Sequence, residues 1–329
     1  MRFSELVRRR RRRRGDEPIP GPAAAPTEVD PDAAPPEGAL AAISPLPRWD
    51  VPLLDRPETQ TRLAREGFAV VEDLLDDAGL RELRDVADEF LSLVGEPLGE
   101  LFVSVGRVED PTVRTEMISK AGDVVSPAIA EHFVEGARVF GSGFQVKPAS
   151  PESALNPHQD SSLVEESTWP GVYVWIPLVD TDRHNGGLAV LPRSHRFWNP
   201  HRTLSVPWQF EGLQDVMWEL VEHLEVGAGS AVFFDSALVH ASPPNHSGTT
   251  RVAVNNFVRP APAPMMHYLI DEATTPGMVD VYEIDETFFL RDDIMARPVR
   301  HRHRGEEPHV RFDCDAAGFV AAYEDLLAN

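Results

Sequence analysis

The sequence predicts an α+β fold, with helices first and then a mostly antiparallel β core of the jelly-roll type. Three observations carry this. Leu80, Leu83, Ala87, Phe90 and Leu91 recur at helical spacing. Beyond Gly95 the texture changes to short apolar and aromatic runs punctuated by Pro, Gly and Asn, which is how many short strands joined by turns read. Ten prolines between residues 15 and 52 leave no room there for a helix or a paired strand.

Taken in order, residues 1–50 read as a disordered basic tail followed by a Pro/Ala-rich linker, and residues 51–329 as one folded domain. Arg8 to Arg14 are seven consecutive arginines, and Arg2 makes eight basic residues in the first fifteen. Such a run is either a basic arm for an acidic partner or an unstructured tail without a specific role. It is not a secretory or twin-arginine signal, because Gly15-Asp16-Glu17-Pro18 follows where an apolar stretch is required. Residues 58–66 read as a short helix and residues 68–71 as a strand. Asp76 or Asp77 caps a second helix that ends at Gly95. Strands follow at 139–146, 172–179, 188–191, 231–234 and 252–258, with an inserted amphipathic helix at 213–223.

Composition narrows the function. The chain has 329 residues and one cysteine, Cys314. It can bury a sizeable core, but it can build neither a disulfide framework nor a thiolate metal site. A reducing, cytoplasmic setting is expected, and no apolar run approaches the length of a membrane span. The formal net charge is −22, and with the seven arginines set aside the remainder carries −29. An acidic body repels nucleic acid and anionic membrane, which argues against a nucleic-acid enzyme.

The chemistry centres on His158-Gln159-Asp160. On an extended strand, residues i and i+2 share a face, so an imidazole and a carboxylate can bind one metal ion together. Alone this is a weak signal, and the chain holds a second one, His223-Leu224-Glu225, which reads more simply as a surface helix-end pair. The downstream sequence separates them. A strand through Asp235 leads to His240, a turn rich in Pro and Asn follows, and Arg251 opens the return strand. His158, Asp160 and His240 then form a two-His-one-carboxylate set, which suits non-haem Fe(II) and leaves positions for a keto acid and for O2. Arg251 offers a planar fork to the keto acid's far carboxylate.

His158-Gln159-Asp160, the segment Asn185-Gly186-Gly187-Leu188-Ala189-Val190-Leu191-Pro192-Arg193-Ser194-His195, and His240 with Arg251 eleven residues on resemble the phytanoyl-CoA dioxygenase family of 2-oxoglutarate oxygenases. The resemblance spans residues 67–258. It implies a double-stranded β-helix, a cupin-like form of the jelly roll, and Fe(II) on His158, Asp160 and His240. It also implies 2-oxoglutarate on Arg251 with the Ser242 hydroxyl, Trp175 beside the cosubstrate, and Gln145 at its keto-acid end. Relatives that halogenate have a small residue where Asp160 stands, so the resemblance implies hydroxylation as the default, with desaturation or ring closure using the same centre. Many relatives carry Gly where this chain has Arg193.

The expected substrate is a small organic molecule, either free or tethered to a carrier protein or to coenzyme A. Glu165, Glu166, Trp169 and residues 265–282 are candidates for its wall or lid. Lys147 shares a face with Gln145 and is placed near the site. His195 reads as a structural hydrogen-bonder, His184 and Asn185 as turn residues, and Arg300 to Arg304 as a solvated basic loop. Two other classes compete: a non-catalytic jelly roll that binds a metal or small molecule, and an interaction platform carrying the basic arm.

Overall fold

A computed structural model describes residues 47–328 apart from 96–98, 100, 106–107, 109, 198 and 310–313. The arginine run and most of the linker lie outside the described residues.

Helix α1 is Pro57–Glu66, and strand β1 is Phe68–Val71. Proline pre-sets the first helical turn, and the helix stops at Gly67, whose φ of 84° is open to glycine without strain. A side chain at Gly67 would also meet His195 Nδ1 at 2.6 Å and Leu238 Cδ1 at 2.7 Å. Helix α2, Asp77–Val94, is capped by Asp76, which accepts from the Gly79 N–H at 2.8 Å. Its buried face is Leu80, Leu83, Ala87 and Phe90, the stripe expected from the sequence. Strand β2 is Val103–Ser104, and α3 is Pro111–Ala130, capped by Asp110.

The strands that follow are β3 Arg138–Lys147, β4 Leu155–His158, β5 Val172–Pro177 and β6 Ala189–Val190. Helix α4 is Gln214–Leu220, and after it come β7 Glu222–His223, β8 Ala231–Asp235, β9 His240–Ser242 and β10 Arg251–Arg259. The chain continues through β11 Met265–Leu269, β12 Met278–Ile284, the single turn α5 Phe288–Arg291, β13 Arg302–Pro308 and α6 Ala316–Ala328.

These strands form a six-stranded sheet in the order β1-β8-β5-β10-β3-β2, a four-stranded sheet in the order β4-β9-β6-β7, and a third sheet β11-β12-β13. Every pairing is antiparallel. From β3 to β10 the chain passes back and forth between the large and the small sheet, which is the winding of a double-stranded β-helix.

Alternation along each strand decides what each face does. Val172, Val174 and Ile176 of β5, with Val252 and Val254 of β10 and Val146 of β3, pack under α2 and α3. The intervening residues, among them Trp175, Val232, Phe234 and Ala253, face the small sheet and meet Val190 and Leu188. The outer face of the small sheet, Ala189 and Ala241, is covered by α4 and α6. The protein is thus a pair of facing sheets with helices on both outsides, and the inner faces are free to build a site.

Several expectations are corrected. The inserted helix covers Gln214–Leu220 rather than 213–223, because Glu222 and His223 leave it to pair with Val190 and Ala189. The long helix α3 occupies a stretch expected to be strand and turn. Residues 265–282 are not a loop over the site. They contain β11 and most of β12, whose Met266, Tyr268, Val279 and Val281 bury a core of their own. The tract at Arg300 to Arg304 enters β13 and is matched with acids, Arg300 with Asp292, Arg304 with Glu283, and His303 with Asp280.

Candidate metal centre

Strand β4 ends at His158, β9 begins at His240, and the two residues are register partners. Their ring centroids are 4.3 Å apart. His158 Nδ1 lies 2.8 Å from the Asn156 carbonyl, and His240 Nδ1 lies 3.0 Å from the Leu238 carbonyl. A carbonyl accepts only, so each Nδ1 carries the proton and each Nε2 presents a bare lone pair inward. Both histidines use the carbonyl two residues upstream, so the ladder that pairs them also fixes their tautomers.

Asp160 stands beyond the end of β4. Its Oδ1 is 3.6 Å from His158 Nε2, and its Oδ2 is 3.8 Å from His240 Nε2. All three donor atoms lie within 4.8 Å of one another. Donors about 2.1 Å from a shared ion stand roughly 3–4 Å apart, so the spacing fits one cation held by three ligands. Asp160 Oδ2 is buried and without a hydrogen-bond partner. A carboxylate whose two oxygens each face an imidazole lone pair is costly until a cation joins them, so the donor set fits a metal.

The electrostatics keep His240 neutral and Asp160 ionised, while the Asp160 charge draws a proton towards His158. Burial, and then His158, push the His240 pKa down to about 4. Burial also works against charge on His158, but Asp160 beside it outweighs this and raises its pKa above the usual value. Burial opposes ionisation of Asp160, yet His240 and His158 hold its carboxyl below the ordinary carboxylate range.

Arg251 opens β10 on the inner face, in register with Lys147 of β3. Its Nη2 donates to the Gly186 carbonyl at 2.9 Å and to Ser242 Oγ at 3.2 Å, and Ser242 Oγ donates to the same carbonyl at 2.7 Å. Its Nε and Nη1 are buried without partners. The guanidinium lies 5.4 Å from the Trp175 ring centroid, within cation–π range. Burial pushes its pKa down to about 9, so it is still charged at neutral pH. Orphaned, charged N–H groups on the inner face fit an anionic ligand such as a carboxylate.

Gln145 is half-buried on the same face as Arg251, paired with Ala253 in the ladder. Lys147 is fully buried, and its Nζ donates to the Ser153, Ser242 and Pro243 carbonyls at 2.7, 3.1 and 2.8 Å. It is therefore a tie between loops rather than a substrate contact. Burial, and secondarily Arg251, push its pKa down to about 6, while the three carbonyl acceptors work in the opposite sense.

Other sequence candidates fall away from the centre. His195 is buried with Nε2 3.1 Å from the Ala64 carbonyl, a structural contact. His223 sits in β7, paired with Ala189, and is not brought to the triad. Asn185 Oδ1 accepts from the Asp182 N–H, and Asp182 Oδ1 from the His184 N–H, as turn residues do. Glu166 is no substrate wall, because it is buried in an ion pair with Arg202. Sequence reasoning gave no sign of that pair, whose members are 36 positions apart. Arg193, with φ of 67°, stands where a glycine is common, and its side chain is used. It reaches Glu66 Oε2 at 3.4 Å and the Leu326 and Leu327 carbonyls at 3.2 and 3.3 Å, fastening α6 to α1.

The family model for phytanoyl-CoA dioxygenase matches residues 63–253, more than half of the chain and a span that includes His158, Asp160, His240 and Arg251. The chain belongs to the phytanoyl-CoA dioxygenase family. Among curated relatives, an uncharacterised protein of Mycobacterium tuberculosis, Rv1501, is 29% identical over 218 residues, covering 60% of this chain and 73% of that protein. The peroxisomal phytanoyl-CoA dioxygenase of Bos taurus is 25% identical over 249 residues, covering 67% and 72%. Among solved structures, the non-haem α-ketoglutarate-dependent carbocyclase SnoK from nogalamycin biosynthesis is 19% identical with a TM-score of 0.47, covering 64% of this chain and 86% of that one. HygX from Streptomyces hygroscopicus, with nickel and 2-oxoglutarate bound, is 14% identical with a TM-score of 0.46, covering 62% and 87%.

Proposed function

We propose that this family member is an Fe(II)- and 2-oxoglutarate-dependent oxygenase that hydroxylates a small organic substrate. The observation that carries the reading is the pairing of two sites on the inner faces. One is a set of three metal donors whose histidines are locked with Nε2 inward. The other is a buried guanidinium with unpartnered N–H groups. A cation site and a carboxylate site in one β-helix are what a chelating keto acid requires.

Iron with 2-oxoglutarate and O2 supplies the oxidising power, one oxygen atom going to the substrate and one to succinate as CO2 is lost. The protein supplies position. His158, Asp160 and His240 would hold the ion through three donor atoms. Arg251, steadied by Gly186 and Ser242, would receive the far carboxylate of the cosubstrate, and Trp175 backs the guanidinium. The buried apolar inner residues Phe234, Val232 and Val190 would keep water from the cosubstrate side of the site. The carboxylate at Asp160 would stand where halogenating relatives have a small residue, which argues against halogenation and leaves hydroxylation as the default outcome.

The test is succinate release by iron-loaded protein over a panel of small organic acids, amino acids and carrier-tethered acyl groups, with Asp160→Ala alongside. Release that depends on iron and vanishes in Asp160→Ala supports the reading. Equal release by that variant would remove the metal assignment, and no release by folded, iron-bearing protein would leave a binding module.

A further inference from the structure

We infer that Arg202 and Glu166 are positioning residues for Asp160, and that their ion pair sets the affinity of the metal centre. The inference rests on the metal reading above. Residues 159–161 run outside any ladder, since β4 stops at His158. The two histidines are held by strand pairing, but Asp160 is not. Its main-chain carbonyl instead accepts from Arg202 Nε at 2.8 Å.

Arg202 is itself fixed on every side. Its Nη1 and Nη2 donate to the two oxygens of Glu166 at 2.8 and 2.6 Å. Nη1 also donates to the Asn199 carbonyl. Ser236 Oγ, just past β8, donates to Glu166 Oε1 at 2.5 Å. The main chains are stitched as well, since Ser162 N–H donates to the Arg202 carbonyl at 2.9 Å and Arg202 N–H to Ser162 Oγ at 2.9 Å. Both charged side chains are buried, at 3% and 0% exposure.

A buried ion pair is a poor way to gain stability, because desolvation consumes most of its Coulombic gain and an apolar pair of similar volume serves as well. An apolar pair could not hold the Asp160 carbonyl. The bidentate fork gives Arg202 one orientation, and that orientation aims Nε at the residue that supplies the ligand. A loop ligand held this way stays within reach of both imidazoles, where a free loop would have to be ordered each time a metal bound.

Cobalt(II) titration of the metal-free full chain, followed by its visible absorption, tests this together with thermal melting. Two variants are compared with wild type. Glu166→Leu/Arg202→Met fills the same volume without charge, and Arg202→Lys keeps the charge but loses the fork. Both are expected to bind cobalt about 10- to 100-fold more weakly, the scale typical of outer contacts to metal ligands, while a variant that melts cooperatively keeps its fold. A cooperatively melting variant that binds cobalt as tightly as wild type overturns the inference. So does a loss of affinity that merely tracks melting temperature across the two variants. If wild type itself binds no cobalt, the metal reading has failed first, and the inference falls with it.

Discussion

His158 and His240 are register partners across β4 and β9, and each spends its Nδ1 proton on the carbonyl two residues before it. The arrangement ties tautomer to strand pairing. A histidine that slipped its ladder position would lose both its neighbour and the direction of its lone pair. On the opposite inner face, Arg251 is set by the same logic, with its position fixed by pairing to Lys147 and its side chain by Gly186 and Ser242.

Removing that guanidinium should act on the cosubstrate alone. In Arg251→Ala, a charge-assisted contact worth about 1.5–3 kcal/mol is lost, which is roughly 10- to 150-fold in affinity. The apparent requirement for 2-oxoglutarate should rise on that scale, with cobalt affinity unchanged. An unchanged requirement places the cosubstrate elsewhere.

Gly186 should tolerate no side chain. Its φ is 76°, and an added Cβ would collide with Lys147 Cδ and lie 2.9 Å from the Pro243 carbonyl. Gly186→Ala should cost about 1–3 kcal/mol of stability, read by urea unfolding. Because the Gly186 carbonyl accepts from both Arg251 and Ser242, the same variant should also weaken 2-oxoglutarate binding.

Acid stability has a marker away from the metal. His267 is buried beside Phe288, with ring centroids 4.7 Å apart, and burial pushes its pKa down to about 4. The unfolded chain protonates this residue near 6.5, so between 6.5 and 4 the unfolded state binds more protons and stability falls as pH falls. That stability is intact above 6.5, and the loss reaches about 3 kcal/mol by pH 4. His267→Leu should flatten the unfolding free energy over that window relative to wild type by about one proton. An identical slope would show that His267 titrates in the fold as it does in the unfolded chain.

Much of this was readable in the sequence because its causes are local. The α2 stripe and the Asp76 cap are periodic or adjacent signals, and the turn between His240 and Arg251 announces itself in Pro and Asn. That Gln145 and Lys147 share a face follows from alternation. Asp160 was found for an incomplete reason, since the strand that was to carry it stops two residues short. What holds it is Arg202, brought from a loop 42 positions away by packing that no local pattern records. Helix α3 was missed because its Thr, Ser, Gly and interior Pro127 mask its period, and α2 and the large sheet decide its fate. The third sheet was missed because its strands carry polar residues whose partners come from a neighbouring strand, such as Asp280 with His303. A long-range ion pair is invisible to spacing rules.

The most direct measurement is anaerobic titration of the iron(II)-loaded protein with 2-oxoglutarate, watching the weak visible charge-transfer band of an Fe(II)–keto-acid chelate. The account predicts a saturable band in wild type, its loss in His240→Ala, and its appearance in Arg251→Ala only at much higher 2-oxoglutarate. Folded, iron-bearing protein that gives no band at any concentration would contradict it.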